Sequence, residues 1–242
     1  MIYIKQIRND LEREMRQFYP HNIPSIFHLD ELNIRKPVTF IVGENGAGKS
    51  TLIEAVAINS GFNPEGGGRN FRFDTKQSHS NLFENITLVR GTERNQDGFF
   101  LRAESFYNVS SEVERVFEGD AGTLESLYGG NLHERSHGES FLSFFNHRLF
   151  GKGLYIFDEP ESALSITSQF AMMIKMKELV EKDSQFIIAT HSPILLAYPG
   201  ADIFEVSDRG ILPTDYESTE AFKLYHYFLN HYQTMINELG LD

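Results

Sequence analysis

The stretch Gly43–Thr51 constrains the fold of this chain more than any other. It reads Gly-Glu-Asn-Gly-Ala-Gly-Lys-Ser-Thr, which matches the P-loop pattern of a glycine, four variable residues and then Gly-Lys-Ser. An apolar run at 38–42 precedes it, and a helix-compatible run at 51–58 follows it. Because the motif requires this strand–loop–helix context, the stretch predicts an α/β fold built around a phosphate-binding turn.

The residue types of the loop each suit a bound triphosphate. Glycines allow backbone conformations in which successive N–H groups point at phosphate oxygens, at the positive end of a helix. Lys49 supplies a mobile charge for the β- and γ-phosphates, and the hydroxyl of Ser50 is placed to ligate Mg²⁺. The predicted nucleotide-binding residues are Gly43, Glu44, Asn45, Gly46, Ala47, Gly48, Lys49, Ser50 and Thr51.

Length and composition limit the remaining possibilities. A chain of 242 residues suits one α/β domain with room for a small attached lobe. The net charge of −12 argues against a broad basic surface, so contact with DNA is possible but not supported by charge. The chain has no cysteine, nothing like a signal peptide and no apolar run of the ~20 residues that span a bilayer. We therefore expect a cytoplasmic protein with no transmembrane segment of its own.

The first half of the chain favours strands. Alternating Ile2, Ile4 and Ile7 predict an edge-type strand, and 25–29 predict a strand close to the P-loop strand. Two alternating segments, 85–90 and 98–104, are separated by a polar turn and predict an antiparallel hairpin. Tyr19 or Phe27 could stack on an adenine, although a core or surface role is the more usual one for each.

The second half predicts a small helical lobe followed by a return to the sheet. The pattern at about 108–150 is mostly helical and has its own glycine punctuation. Buried strands at 154–157 and 185–190 flank a helix-length segment, which implies a mainly parallel sheet. We expect one domain, 1–242, with a core lobe at about 1–107 and 151–242.

The last segment predicts an amphipathic helix that packs on its own domain. Its apolar residues are spaced alternately by three and four, over fewer than the three heptads typical of a coiled coil. They are Phe222, Tyr225, Leu229, Tyr232, Ile236 and Leu239.

Acidic and imidazole side chains follow the two buried strands. Asp158 and Glu159 come directly after the strand at 154–157, and His191 follows the next strand. The carboxyl ends of parallel strands present ligand chemistry in α/β folds. Asp158 would hold Mg²⁺, Glu159 would orient and polarise water, and His191 would reach the γ-phosphate, so Glu159, His191 and Lys49 form the predicted catalytic set.

A second helix start also suits phosphate. Ser136-His137-Gly138-Glu139-Ser140 begins a helix-like run. One triphosphate does not need two such sites in one chain, but a homodimer does. If two copies meet head to tail, the helix start of one copy would close over the phosphates held by the P-loop of the other.

Taken in order, these motifs strongly resemble those of the ATP-binding-cassette (ABC) ATPases. The resemblance implies a two-lobed P-loop NTPase fold, ATP and Mg²⁺ as cofactors, and a nucleotide-sandwich dimer. In that dimer Ser136 and Gly138 would act across the interface as the signature motif, and 162–165 would form the D-loop.

Three features depart from the family pattern. His137 and Glu139 replace a glycine and a glutamine of the signature, and Ser165 stands where the D-loop usually has an aspartate. No clear Q-loop glutamine occurs, and Glu104 is the nearest candidate by position. The P-loop and the Thr-His-Ser-Pro motif resemble the non-transport, SMC-like branch of recombination, repair and defence ATPases.

The leading hypothesis is an Mg²⁺-dependent ATPase whose ATP-driven dimer cycle switches an unknown partner, such as a protein effector. The alternatives are the nucleotide-binding subunit of an ABC transporter and a non-hydrolytic, ATP-gated scaffold in a defence or DNA-processing complex. A small-molecule kinase would leave the 136–140 segment and His191 without a role.

Overall fold

The computed structural model describes residues 1–68, 80–102, 122 and 137–241, without the side chains of 137–141. The strands are β1 Ile4–Asn9, β2 Glu31–Asn33, β3 Val38–Gly43, β4 Ile86–Arg90, β5 Asp97–Arg102, β6 Gly153–Asp158, β7 Gln185–Ala189, β8 Asp202–Ser207 and β9 Gly210–Pro213. The α-helices are α1 Pro24–Phe27, α2 Lys49–Asn59, α3 His137–Arg148, α4 Ile166–Glu181, α5 Pro193–Leu196 and α6 Glu220–Glu238. Short 3-10 turns lie at Arg13–Met15, Asn81–Asn85, Pro160–Ala163 and Tyr216–Ser218.

A six-stranded sheet forms the centre of the fold, in the order β5-β6-β7-β3-β8-β9. Its first five strands are parallel, and β9 pairs antiparallel with β8. Every residue of β6 and of β7 is buried, as expected for parallel strands covered on both faces. The predicted α/β class with a mainly parallel sheet is confirmed, and the carboxyl ends of β3, β6 and β7 lie side by side.

The antiparallel part of the fold differs from the predicted pairing. β4 pairs with β1 in a separate sheet of order β2-β1-β4, whereas β5 pairs with β6 in the parallel sheet. The hairpin between 85–90 and 98–104 is therefore wrong, although an antiparallel sheet is present. β1 lies between two partners, so the prediction of an edge strand is also wrong.

Helix α2 lies between the two sheets. Its buried residues Leu52, Ile53 and Val56 share a core with Ile4 and Ile7 of β1 on one side. The same core includes Ile41, Ile156 and Ile187 from the parallel sheet on the other side. The P-loop helix is thus held on two faces, which fixes the orientation of its N-terminus.

A buried glutamine joins the two sheets. The side-chain oxygen of Gln185, in β7, accepts hydrogen bonds from the backbone N–H groups of Tyr3 and Ile4 at 2.7 and 2.8 Å. Its amide nitrogen donates to the carbonyl of Ile4 at 2.9 Å. These three side-chain hydrogen bonds all reach the backbone at the start of β1. They satisfy the buried amide and orient the three-stranded sheet relative to the parallel sheet.

The strand predicted at 25–29 is instead the short helix α1. Pro24 occupies the first turn, where its fixed φ suits a helix and its missing N–H costs nothing. The hydroxyl of Ser25 donates to the carbonyl of Ala47, within the P-loop. The segment therefore supports the P-loop, but as a helix.

The C-terminal helix α6 is amphipathic as predicted, yet none of its residues is buried. In the first turn, Ala221 packs against the core and Phe222 lies against Tyr216, and further along only Met235 and Ile236 are half-buried. The prediction that this stripe packs on its own domain is wrong for Tyr225, Leu229, Tyr232 and Leu239, which are exposed. Among the described residues, no helix is long and apolar enough to cross a bilayer.

Most of the predicted helical lobe at 108–150 lies outside the described residues. Its last part is α3, His137–Arg148, which agrees with the helix-like run predicted after Ser136. The side chains of α3 from Leu142 onward include Phe144 and Phe145, both fully buried in the core on the α4 side of the parallel sheet. The predicted lobe boundaries stay a prediction.

Candidate nucleotide site

The P-loop connects the end of β3 to the start of α2 through backbone conformations that favour glycine. Gly46 and Gly48 have φ of 79° and 102°. A Cβ on Gly43 would clash with the carbonyl oxygen of Val206, and one on Gly48 would lie 2.8 Å from the hydroxyl of Ser25. The loop is therefore packed from behind and shaped as a concave backbone surface at a helix N-terminus.

Lys49 is buried at the first position of α2. Its ammonium group donates to the carbonyls of Gly43 and Glu44 at 2.9 and 2.8 Å. Burial lowers the pKa of Lys49, and the carboxylates of Glu159 and Asp158 partly oppose this shift. The desolvated ammonium group of Lys49 is held by two neutral carbonyls. A phosphate anion bound beside it would make a stronger, charge-assisted hydrogen bond.

Ser50 and Asp158 meet as predicted for a Mg²⁺ site. The Ser50 hydroxyl donates to the carboxylate of Asp158 at 3.0 Å, joining α2 to the end of β6. Mg²⁺ usually takes one or two protein oxygens, with the rest of its shell from phosphate and water. The Ser50 hydroxyl oxygen and the Asp158 carboxylate oxygen lie beside the P-loop and fit that requirement.

Glu159 lies next to this pair in a strained conformation. Its φ and ψ are both 51°, in the left-handed region that residues other than glycine rarely adopt. Its backbone N–H donates to the carbonyl of Ala189 at 2.9 Å, so β6 and β7 hold the turn in place. One carboxylate oxygen of Glu159 lies 3.3 Å from Nε2 of His191. The structure thus brings Lys49, Ser50, Asp158, Glu159 and His191 to one edge of the sheet.

Glu161 holds the loop that carries His191. One carboxylate oxygen accepts the backbone N–H of His191 at 2.6 Å. Burial raises the pKa of Glu161, and the hydrogen bond from His191 opposes that shift. This contact ties the turn after β6 to the turn after β7, so the positions of Glu159 and His191 are coupled.

The sequence analysis missed a charged group behind the Mg²⁺ site. Arg102, at the end of β5, donates to the carboxylate of Glu54 in α2 at 2.9 Å, and its Nε lies 3.8 Å from Asp158. Glu54 also accepts the backbone N–H of Ser80 at 3.0 Å. The sequence shows only a charged residue at the end of an apolar run and does not indicate its partners; in the structure Arg102 lies where a cation can orient Asp158.

A cleft of about 320 Å³ opens over the P-loop, lined by Tyr19, Ile23, Asn45, Gly46, Gly48, Lys49, Ser50, Thr51 and Glu159. Of the two aromatic candidates for adenine stacking, Tyr19 lines this cleft and is exposed. The Phe27 ring packs edge-on against His28, 5.2 Å between centroids. The geometry favours Tyr19.

Other predicted positions are only partly described. Ser136 and Glu104 lie outside the described residues, and Gly138 lies in the described part of α3, one residue after its first described position. Ser165, at the end of the predicted D-loop, caps α4 by accepting the backbone N–H of Ser168 at 3.1 Å. A cap of this kind explains why serine suits the position.

Comparison with known families agrees with this geometry. The AAA_23 family, described as an AAA domain, matches residues 17–191, which is most of the chain. The chain belongs to the AAA_23 family. The match contains the P-loop, the acidic pair and His191, so the predicted resemblance to ABC-superfamily ATPases is confirmed.

Two curated relatives and one solved structure illustrate the likeness. The probable ATP-dependent transporter ycf16 of Antithamnion sp. is 24% identical over 235 residues, covering 82% of this chain and 89% of the relative. The energy-coupling factor transporter ATP-binding protein EcfA2 of Methanospirillum hungatei is 24% identical over 229 residues, covering 87% of this chain but only 56% of the relative. The structure of cbiO1 from Clostridium perfringens, part of the ABC transporter complex cbiONQ, has a TM-score of 0.53 at 18% identity and covers 95% of this chain and 96% of its own. The fold of this AAA_23 chain is therefore that of an ABC ATPase, while the non-transport branch stays a prediction.

Proposed function

We propose that this chain binds ATP with Mg²⁺, hydrolyses the β–γ bond, and uses an ATP-dependent head-to-tail dimer to switch a partner. The observation that carries the proposal is the convergence at one sheet edge of Lys49, the Ser50–Asp158 pair and the Glu159–His191 pair. A structural turn would not need a buried lysine and a strained glutamate around the same cleft, with a histidine 3.3 Å from that glutamate.

Each side chain has a role that follows from its position. The backbone N–H groups of the P-loop and the ammonium of Lys49 would hold the triphosphate. Ser50 and Asp158 would hold Mg²⁺, which neutralises charge on the phosphate oxygens. Tyr19, exposed at the rim of the cleft, would stack on the base.

Glu159 would orient the attacking water and accept its proton. Its carboxylate borders the cleft beside Lys49 and Ser50, and its left-handed backbone positions the side chain toward that space. His191 would contact the γ-phosphate and report its loss, because the loop that carries it is tied to the Glu159 turn by Glu161. Phosphate release would then free both turns together.

The second half of the site would come from another copy of the chain. α3 is described from His137 onward, and Ser136 with Gly138 would close over the nucleotide of the partner as part of a helix start suited to phosphate. ATP would then act as part of the interface, so the dimer would form with ATP and separate after hydrolysis.

The direct test measures ATP turnover and mass in solution for the native chain and Glu159→Gln. We expect loss of the general base to lower turnover about 10²–10⁴-fold while Mg·ATP traps a dimer of the variant. The control is Glu238→Gln, on the exposed helix α6, which should match the native chain. Equal turnover in Glu159→Gln and the native chain would refute the assigned role.

A transporter subunit is the second candidate, because one relative described above is named a probable ATP-dependent transporter and the other a transporter ATP-binding protein. The same assay separates the two functions. An isolated chain that turns over ATP and dimerises supports the self-contained switch. A chain that binds ATP without turnover, and regains it only with membrane proteins, supports the transporter; binding with no turnover in any setting supports the scaffold.

A further inference from the structure

Helix α6 carries an apolar stripe that the described part of the chain does not cover. The stripe residues with exposed side chains are Tyr225, Leu229, Tyr232 and Leu239, at 53, 70, 54 and 65% of their full surface. Most helices in proteins owe their stability to the packing of their apolar face and not to intrinsic propensity. We therefore expect the stripe to pack against another surface.

The spacing of the stripe indicates what kind of surface that is. Phe222, Leu229 and Ile236 alternate with Tyr225, Tyr232 and Leu239 at the a and d positions of consecutive heptads. This period of 3.5 residues is that of a seam between two helices. Phe228 and Met235, at two g positions, widen this seam on one side. The partner surface should itself be a helix.

The charges around the seam permit a second copy of α6. The flanking e and g positions hold His226, Gln233, Phe228 and Met235, which carry no charge when histidine is neutral. The charged residues of the helix, Glu220, Lys223 and Glu238, occupy the remaining positions. Two chains with a net charge of −12 repel each other, so a projecting helix whose seam carries no charge is a surface through which they can meet.

Area and backbone are compatible with such a pair. Two of these stripes would bury on the order of 1,000 Å² in total, the size at which specific interfaces begin. The helix bends at His231, whose φ is −135°, and the His231 ring stacks on Tyr227 at 4.6 Å. Both residues occupy positions opposite the seam, so the apolar side continues across the bend.

We infer that α6 is a self-association surface, and that two copies of this chain pair through their α6 seams in the absence of nucleotide. Such pairing is isologous, because each copy presents the same stripe. It is separate from the head-to-tail contact of the proposed function. α6 starts beside the P-loop, since Glu205 of β8 accepts the N–H of Glu220 at 3.2 Å and both line a cleft with Gly43–Ala47. Pairing would therefore keep two ATP sites at high local concentration.

The test is the mass of the nucleotide-free full chain in solution over a range of protein concentrations. The native chain should reach twice the mass of one chain, and Leu229→Glu, in the seam, should weaken this association at least about tenfold because two carboxylates would face each other. The matched control is Leu224→Glu, which places the same charge on the same helix at an exposed position outside the seam. It should associate like the native chain.

Other outcomes would overturn the inference. A native chain that stays monomeric without nucleotide, or equal effects of the two glutamates, would show that α6 does not pair with itself; an unlike helical partner would then be the occupant to seek. The double variant Glu159→Gln, Leu229→Glu tests the ATP-dependent head-to-tail dimer separately from α6 pairing. A Mg·ATP-dependent dimer of this double variant would retain the proposed function even if the α6 result failed.

Discussion

Helices α2 and α6 both carry many apolar residues, yet the structure buries one and exposes the other. In α2 the apolar side chains point in several directions and meet two sheets, including Leu52 and Val56 with no exposed surface. In α6 a repeating set of apolar residues forms one seam, others such as Leu224 and Tyr227 lie outside it, and no residue of the helix is buried. Apolar content alone does not separate a core helix from a projecting one, whereas the periodicity of the apolar residues helps to separate them.

Matched leucine truncations give the largest expected difference between the two helices. Leu52→Ala should lower the free energy of unfolding by about 2–5 kcal/mol, because it leaves a cavity between the sheets. Leu224→Ala, at a position more than half exposed, should change it by less than about 0.5 kcal/mol. Chemical denaturation of both variants measures this, and similar losses would mean that α6 packs on the body in solution.

The same contrast explains how much of the site could be predicted. Gly43–Thr51, Asp158, Glu159 and His191 belong to short local patterns, each placed at the end of a recognisable strand. Because parallel strand ends share an edge, local patterns were enough to bring these residues together. The pairing of Arg102 with Glu54 joins β5 to α2 and has no local signature, so it needed the three-dimensional structure.

Strand partners were harder to predict than strands. Alternation shows which face of β4 is buried but not which strand lies beside it. β5 contained a usable signal, since Phe99, Phe100 and Leu101 form a continuous apolar run, as in strands buried on both faces. That run favours the parallel sheet over a hairpin. At α1, proline at the helix start outweighed the apolar pattern.

A glycine at one end of each of the two helices, Gly48 before α2 and Gly240 after α6, gives a second comparison of how tightly each helix is packed. Gly48→Ala, at the start of α2, should cost roughly 2–3 kcal/mol, from the positive φ and from the approach of the new Cβ to Ser25. Gly240→Ala, after α6, has a φ of 67° but no atom within 4 Å of the new Cβ. Its cost should be about 1 kcal/mol or less, because the end of an exposed helix frays.

Thermal or denaturant unfolding of the two glycine variants compares these costs directly. Gly48→Ala should also weaken ATP binding, since the P-loop backbone would shift, whereas Gly240→Ala should not. An equal loss of stability in both variants would contradict the rigid packing behind the P-loop and would place the α6 terminus in an equally constrained environment.

Carboxylates provide the smallest expected difference, read as a dependence on pH. Burial raises the pKa of Glu161 above its ordinary value of 4.5, so the folded chain holds this proton more tightly than the unfolded chain. Between the ordinary and the raised pKa the folded state binds more protons, and this group's contribution to stability falls as pH rises through that window. Glu161→Gln has no such proton, so its unfolding free energy should lack this fall. The overall change should be small, because the amide oxygen can still accept the N–H of His191.

Glu238→Gln on α6 is the matched control, since Glu238 is exposed. Its unfolding free energy should follow that of the native chain at every pH between 4.5 and 8, a range that starts at the ordinary pKa of Glu161. If the Glu161→Gln and native curves are parallel, the buried carboxylate does not hold its proton more tightly in the folded chain. The Glu161 carboxylate that joins the Glu159 turn to His191 would then be exposed to water. The two turns would move more independently than the structure indicates.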